Sequence, residues 1–167
     1  MRFLFLRLLL AVAIFGGGQA HSACWESAAA RSGVEVELLK AIGWVESRWQ
    51  PKAVGPALPN GDVALGLMQI NTVHLPALAQ QGIRREDLFD ECTSQQLGGW
   101  VLADCIQRFG YTWKAVGCYN TGPHSKNIDA QIRYVAQVQH HYWRFKSQQS
   151  SSPAALAKSS IFLQSTE

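Results

Sequence analysis

The chain has 167 residues, a formal net charge of +3 and 16% charged residues. Without its amino-terminal leader, enough chain remains for one domain with a sizeable core. The mild basicity suits an anionic polymer as a partner, but it is too diffuse to indicate nucleic acid, because the sequence has no lysine- or arginine-rich run.

The first 23 residues predict a secretory signal peptide. Two arginines accompany an apolar run over 8–15, and a glycine break then leads to small residues at Ala20 and Ala23, after either of which cleavage would occur. A membrane anchor is the alternative, although the apolar run is short for a span. Cys24 also permits a lipoprotein interpretation, although the residues before it form a poor lipidation context. We expect an exported, periplasmic protein.

Four cysteines follow this leader, and disulfides are the usual state of cysteine in an exported protein. A zinc site is the alternative, but the sequence has no CxxC pair and its histidines lack a ligand-like spacing from the cysteines. We therefore expect neither a metal nor another cofactor. Of the three possible pairings we favour Cys105–Cys118, because these residues flank the turn at Gly110 at comparable distances. That choice leaves Cys24–Cys92.

The remaining chain predicts a mainly α domain of short packed helices with at most a minor β excursion, because strand signals are nearly absent. The domain is expected over 24–146, followed by a Ser/Gln-rich, poorly ordered tail over 147–167. The predicted elements in chain order are helices over 25–31 and 35–49, a loop over 51–63 that could contain two short strands, helical segments over 72–81 (interrupted at Pro76) and 84–89, and helices over 93–109, 113–120 and 127–145.

One carboxylate stands out on the helix over 35–49. At about 100° per residue, Glu46 lies inside the apolar arc, between Ile42 and Leu39. Desolvation disfavours a charged carboxylate there, so its pKa should be raised, and an acid that stays protonated near neutrality can donate a proton. A structural role, paired with Arg48 or at the edge of the core, is the alternative.

Two further clusters carry polar side chains. GLMQIN over 66–71 alternates apolar and amide residues, and AVGCYNTG over 115–122 precedes the last helix. Alone, the first could be a helix start and the second a helix cap. Together with Glu46-Ser47 and Tyr134, they resemble the SLT-type lytic transglycosylases. The closest resemblance is to the small secreted kind that accompanies type III and type IV secretion, conjugation and pilus assembly.

This resemblance, which extends from about residue 24 to residue 142, implies a lysozyme-like fold of the goose type. It implies cleavage of the β-1,4 bond between N-acetylmuramic acid and N-acetylglucosamine in peptidoglycan, with Glu46 as the catalytic acid and base. Met68 is expected to line the groove, and Gly66 to let the loop approach the cleft closely. The residues assigned to binding or supporting roles at the cleft are Ser47, Met68, Gln69, Asn71, Tyr119, Asn120 and Tyr134.

A second carboxylate is absent from the motif. Ordinary glycosidases use two, and many relatives have an aspartate at the position of Ala64, while the nearby Asp62 belongs to a turn-forming Asn-Gly-Asp. A single acid fits substrate assistance, in which the muramic N-acetyl group stabilises the reacting carbon. Glu46 then returns the proton by deprotonating the sugar's own 6-hydroxyl. The expected product is a 1,6-anhydro end.

The sequence leaves two other functions open. A lysozyme-type hydrolase could use the same fold, and a glycan-binding assembly subunit could retain the fold without turnover. The expected partners are peptidoglycan strands and components of an envelope-spanning secretion, conjugation or pilus machine, with no nucleic acid, and we expect a monomer. Trp49, Trp100 and Trp113 are interpreted as core residues, with sugar stacking as the alternative, and His140-His141 as a solvated pair.

Overall fold

The computed structural model describes the backbone of residues 18–150 and the side chains of residues 24–150. It is mainly α, as predicted, with one two-stranded sheet. The helices and strands are α1 (Gly18–Ser32), α2 (Val36–Ser47), β1 (Ala64–Leu65), β2 (Ile70–Asn71), α3 (Leu75–Ala79), α4 (Glu91–Phe109), α5 (Trp113–Thr121) and α6 (Ile128–Ser150), with 3₁₀ turns over Thr72–His74 and Arg85–Phe89.

Helix α4 lies at the centre and packs against α1, α2 and α5. Two glycines on its buried face allow this close packing. A Cβ at Gly99 would overlap the Ser32 hydroxyl of α1, and a Cβ at Gly98 would overlap the Met68 side chain. The two glycines therefore lower the helix propensity of α4 in exchange for close contacts on both sides.

Two disulfides reinforce this packing with the pairing favoured from the sequence. Cys24–Cys92 joins α1 to the start of α4, and Cys105–Cys118 joins α4 to α5. The first closes a separation of 68 residues and the second one of 13. Cross-links of this kind stabilise a small domain mainly by restricting the unfolded chain.

Helix α6 crosses α2 and α5 and covers the other side of the core. Its buried residues are Tyr134, Val138 and Tyr142 at a four-residue spacing, which is the pattern of one helix face. In the amino-terminal half of α6, this face places Tyr134 against the end of α2. The crossing of α2 and α6 therefore determines the position of the candidate site.

Three sequence expectations need adjustment. The two strands are Ala64–Leu65, directly before the GLMQIN segment, and Ile70–Asn71, the last two residues of that segment. Neither lies within the loop over 51–63, although Val54 forms an isolated bridge to Leu65. Trp100 is 41% exposed and is not a core residue. Helix α6 continues to Ser150, four residues into the predicted tail, where the Ser147 and Ser150 hydroxyls donate to helix carbonyls.

Most of the predicted signal peptide and most of the predicted tail lie outside the described residues, so both remain predictions. Helix α1 begins at Gly18, so the described backbone is helical across both predicted cleavage positions. Within residues 18–150, no helix combines the length and apolarity needed to cross a bilayer.

Candidate active site

Glu46 is the penultimate residue of α2, and the way the helix stops determines where its carboxylate lies. Arg48 and Trp49 both adopt the left-handed conformation, with φ values of 57° and 61°. The Arg48 N–H donates to the Trp44 carbonyl at 2.9 Å, and the Trp49 N–H donates to the Gly43 carbonyl at 3.4 Å. This double closure ends α2 at Ser47, two residues before the predicted end at residue 49. Glu46 consequently projects from a helix end.

The carboxylate of Glu46 is half-buried and meets α6. Its Oε1 accepts a hydrogen bond from the Tyr134 hydroxyl at 2.5 Å. Burial raises the pKa of Glu46 to about 7, while the Tyr134 hydrogen bond acts in the opposite direction. The expectation of a raised pKa is therefore confirmed, and desolvation is its larger cause. A group with this pKa can both give and take a proton near neutrality.

A second tyrosine approaches the same carboxylate from α5. The Tyr119 hydroxyl donates to the Met68 carbonyl at 2.8 Å, which joins α5 to the GLMQIN segment. Burial raises the pKa of Tyr119 well above its usual value, and the charge of Glu46 raises it further. The same two effects raise the pKa of Tyr134. Both phenols therefore remain neutral hydrogen-bond donors beside the acid.

The first four residues of the GLMQIN segment, 66–69, form the tight turn between β1 and β2, and its last two residues are β2. Gly66 has a φ of +75°, and a Cβ there would overlap the Leu88 carbonyl oxygen. The glycine is a backbone requirement, as predicted, but the close approach is to Leu88 and not to the cleft. Gln69 has a φ of 50°, and its amide donates to the carbonyls of Gly66 at 2.9 Å and Ala53 at 3.3 Å. Gln69 thus stabilises the turn through its own side chain.

Ser47 fixes the end of α2 to this turn. Its hydroxyl donates to the Leu67 carbonyl at 2.6 Å and accepts from the Gln50 N–H at 3.0 Å. With both contacts made to backbone, Ser47 supports the position of the neighbouring Glu46, which agrees with the expected supporting role.

Met68 does not line the groove, so that expectation is wrong for its side chain. Met68 is 0% exposed, and its side chain fills the space that Gly43 and Gly98 leave by having no side chains. Its backbone nevertheless contributes at the site, because its carbonyl accepts from Tyr119 and its N–H donates to the Ser94 hydroxyl at 3.1 Å. A sugar could contact Met68 only if this core opened.

Two asparagines complete the set predicted from the sequence. Asn71 is half-buried, and its Oδ1 accepts from the Val73 N–H at 2.9 Å, so it caps the 3₁₀ turn. Asn120 is exposed at the end of α5, beside Tyr119, and its side chain makes no hydrogen bond to the described residues. Asn120 therefore has both its donor and its acceptor groups available for a ligand.

Asp62, the nearest candidate for a second carboxylate, is engaged elsewhere. Its Oδ1 accepts from the Thr72 hydroxyl at 2.9 Å, and its Oδ2 accepts from the Asn60 side-chain amide at 2.7 Å. These bonds join the loop over 51–63 to the end of β2. Ala64, in β1, has no titratable side chain.

Sequence reasoning missed Ser94, whose hydroxyl holds the Met68 N–H from the buried face of α4. The available signal was a serine within an apolar helical arc. No cluster of three or more His, Cys, Asp or Glu side chains that could hold a metal ion occurs among the residues described.

A cavity of about 160 Å³ lies away from Glu46. Its walls include Leu38, which is eight residues from Glu46 and therefore about 12 Å along α2. The cavity has no carboxylate in its lining, so it offers no acid comparable to Glu46 that could donate a proton to a bound molecule. Its lining residues are Leu38, Leu102, Ile106, Tyr111, Thr112, Trp113, Val116 and Tyr142.

Comparison with known proteins gives consistent matches over this region. The family model described as "Transglycosylase SLT domain" matches residues 23–142. "Invasion protein IagB" of Salmonella typhimurium (strain SL1344) is 38% identical over 128 residues, 76% of this chain and 79% of that protein. "Protein IpgF" of Shigella flexneri is 32% identical over 126 residues, 75% of this chain and 82% of that protein.

A solved structure has the same fold. It is an inactive mutant of lytic transglycosylase Slt from Pseudomonas aeruginosa, with a TM-score of 0.63 and 21% sequence identity. The match covers 80% of this chain but only 25% of that one, so the present chain corresponds to about a quarter of the solved protein. At this identity, the likeness shows the fold alone.

Proposed function

The chain belongs to the transglycosylase SLT family and is a peptidoglycan lytic transglycosylase, and from this premise we propose a specific reaction for it. The enzyme cleaves the β-1,4 bond between N-acetylmuramic acid and N-acetylglucosamine and leaves a 1,6-anhydromuramic end. Glu46 is its catalytic acid and base. The observation that carries this proposal is the half-buried carboxyl group of Glu46 with a pKa raised to about 7.

In the first step, protonated Glu46 gives its proton to the glycosidic oxygen, and the bond from that oxygen to C1 of the muramic residue breaks. The acetamido oxygen of the same sugar attacks C1 and holds the developing positive charge. A pKa near 7 leaves a large fraction of Glu46 protonated at neutral pH, so the acid form is available without a second titrating group.

In the second step, the Glu46 carboxylate removes the proton from the 6-hydroxyl of the same sugar. The 6-oxygen then attacks C1, the acetamido oxygen leaves, and Glu46 is again protonated. No water is consumed, so atoms and protons balance within the glycan and one side chain. Intramolecular attack has a high effective concentration, which offsets the lack of an activated water.

Tyr134 supports both steps through one hydrogen bond. Its hydroxyl donates to Oε1 of Glu46, which fixes the carboxyl group in one orientation and leaves Oε2 to exchange the proton. The bond also stabilises the carboxylate after the first transfer and before the second. Tyr119 forms part of the wall of the site, because its hydroxyl already donates a hydrogen bond to the Met68 carbonyl.

The single-carboxylate mechanism is supported by the two positions at which a second carboxylate was considered, Asp62 and Ala64. Asp62 uses both carboxylate oxygens within its own loop, and Ala64 has no titratable group. A hydrolase of the lysozyme type would need a base or a nucleophile on the far face of the sugar, and neither residue is poised for that role. We therefore prefer the anhydro product to the hydrolytic one.

The glycan strand is proposed to lie along the surface formed by the GLMQIN turn and the end of α5. Asn120 would bind it with an unengaged amide, whereas Gln69, Asn71 and Ser47 hold the backbone that shapes this surface. The test of the reaction is the chemistry of the muramic ends released from peptidoglycan, anhydro or reducing, measured by mass spectrometry.

We also propose that the enzyme is exported and opens the wall for an envelope-spanning machine. The two disulfides suit an oxidising compartment, and one relative is named an invasion protein. Restoring the wild-type gene to a deletion strain should restore assembly of the machine, and the Glu46→Gln variant should not. Equal rescue by both would contradict a role for wall cleavage in that assembly.

A further inference from the structure

A group of cationic and aromatic side chains occupies the flank of α2 and α6 away from the catalytic carboxylate. We define this α2–α6 cationic surface as Trp44, Arg48, His140, His141 and Arg144. The guanidinium carbon of Arg48 lies 5.3 Å from the centroid of the Trp44 ring, and that of Arg144 lies 5.5 Å from it. His141 packs against the same ring with a centroid separation of 5.8 Å, and His140 contacts His141.

Two guanidinium groups near one ring are necessarily near each other. Since both lie within 5.5 Å of the Trp44 centroid, they are no more than about 11 Å apart, comparable with the screening length of physiological salt. No carboxylate among the described residues forms an ion pair with Arg48 or Arg144. Each ordered charge therefore faces solvent without a balancing anion from the described protein.

The charged groups around His141 are also positive. Burial lowers the pKa of His141, and the charges of Arg144, His140 and Arg48 lower it further. In addition, Nε1 of Trp44 and Nδ1 of His141 are buried and have no hydrogen-bond partner among the described residues. Buried polar atoms are nearly always paired with protein or solvent, so two orphans in one cluster indicate a missing partner.

Structural roles account for only part of this arrangement. Arg48 follows α2 directly and would be favoured there by the helix dipole. That explanation does not extend to Arg144, which lies in the interior of α6 (Ile128–Ser150) and reaches the same indole. A guanidinium group also carries the N–H donors that suit paired hydrogen bonds to a carboxylate.

The position of the surface relates it to the cleft. Trp44 and Glu46 are two residues apart on α2, so they point about 200° apart around the helix axis, on different flanks. Arg144 is ten residues beyond Tyr134, which is about 15 Å along α6. An extended peptide of five residues spans about 17 Å. A stem of this length on a glycan strand that occupies the cleft is therefore long enough to cover the separation along α6.

We propose that the α2–α6 cationic surface binds the carboxylates of peptidoglycan peptide stems and holds the strand during cleavage. This inference rests on the proposed function, because it takes peptidoglycan as the substrate. The stems supply free carboxylates, whereas the β-1,4-linked sugar rings are uncharged. Binding is expected to be electrostatic in origin and therefore to weaken as salt concentration rises.

The test measures co-sedimentation with isolated sacculi in the Glu46→Gln background, which avoids digestion. Arg48→Gln with Arg144→Gln should weaken binding about tenfold, as expected for the loss of two exposed charge-assisted contacts. The matched control is Arg31→Gln with Arg85→Gln, which removes the same charge from exposed positions on α1 and the 3₁₀ turn over Arg85–Phe89. It should leave binding unchanged. If the double variant unfolds, Arg144→Gln alone serves, with a smaller loss in the same direction.

A second probe is chitin, a β-1,4-linked N-acetylglucosamine polymer that has neither stems nor carboxylates, on which the two double variants should bind equally. Equal binding to intact sacculi, or an equal loss on chitin, would overturn the proposal. A loss seen only on vesicles containing phosphatidylglycerol would also overturn it and assign the surface to lipid headgroups. Anhydro ends released by the wild-type enzyme are scored separately, so failure of the surface and failure of the proposed reaction remain distinguishable.

Discussion

The hydroxyl of Tyr134 lies 2.5 Å from Oε1 of Glu46, and this bond joins two helices across 88 residues of sequence. Tyr134 is only 6% exposed, so its phenol has little access to competing water. Through this bond, the position of α6 affects the pKa of Glu46. Its effect on the pKa of Glu46 opposes the larger effect of burial.

Tyr134→Phe should raise the pKa of Glu46 beyond about 7, because the hydrogen bond that favours the carboxylate is removed while burial remains. The alkaline limb of the pH–rate profile should move to higher pH. Turnover at neutral pH should fall about tenfold, since the carboxyl group loses its fixed orientation. A profile with an unmoved alkaline limb would show that Tyr134 does not control this titration.

Glu46→Gln should make the protein more stable at alkaline pH. The pKa of Glu46 is near 4.5 in the unfolded chain and about 7 in the fold. The folded state therefore retains a proton that the unfolded state has lost. The stabilisation from this proton is complete below pH 4.5 and disappears as pH rises through 7, a difference of about 3 kcal/mol at most.

Thermal unfolding of wild type and Glu46→Gln at pH 4 and pH 8 measures this difference directly. The two proteins should have similar melting temperatures at pH 4, and the variant should melt higher at pH 8. A variant that is less stable at pH 8 would indicate that the charged carboxylate is favoured by the fold, and it would contradict a raised pKa.

Gly66→Ala should destabilise the fold by more than about 3 kcal/mol. The change adds left-handed strain and overlap with the Leu88 carbonyl, which is backbone and cannot move aside alone. Gly82→Ala is the matched control, because Gly82 has a φ of +76° but no atom of the described residues lies within 4 Å of the position that its Cβ would take. It should cost only about 1 kcal/mol. Equal losses in denaturant unfolding would show that the contact with Leu88 is unimportant.

Asn120→Ala and Gln69→Ala should separate binding from turn stability. Asn120 makes no side-chain hydrogen bond to the described residues, so its loss should raise KM several-fold with little change in melting temperature. Gln69 donates to two carbonyls across the GLMQIN turn, so Gln69→Ala should lower the unfolding free energy by about 1–2 kcal/mol. A reversed pattern, with Asn120 mattering to stability, would contradict the assignment of its amide to the glycan.

Local sequence patterns were sufficient to predict the helices, the disulfide pairs and the raised pKa of Glu46. These features depend on periodicity, on turn position and on burial along one helix. The sequence did not reveal that Arg48 and Trp49 end α2 before Pro51, because a non-glycine residue in the left-handed conformation is rarely predictable. The sequence also did not place Met68 in the core, because the space for its side chain lies beside Gly43 and Gly98, which are far from it in the sequence.

In the proposed reaction, Glu46 acts alone and the sugar's own 6-hydroxyl completes the cleavage. Mass spectrometry of the muropeptides released from sacculi by the purified protein tests this reaction, with Glu46→Gln as the control. General acid–base catalysis is worth about 10²- to 10⁴-fold, so the control should release almost nothing. We expect predominantly 1,6-anhydromuramic ends, lighter by one water than hydrolysis products. Predominantly reducing muramic ends would contradict it and show that this cleft activates water.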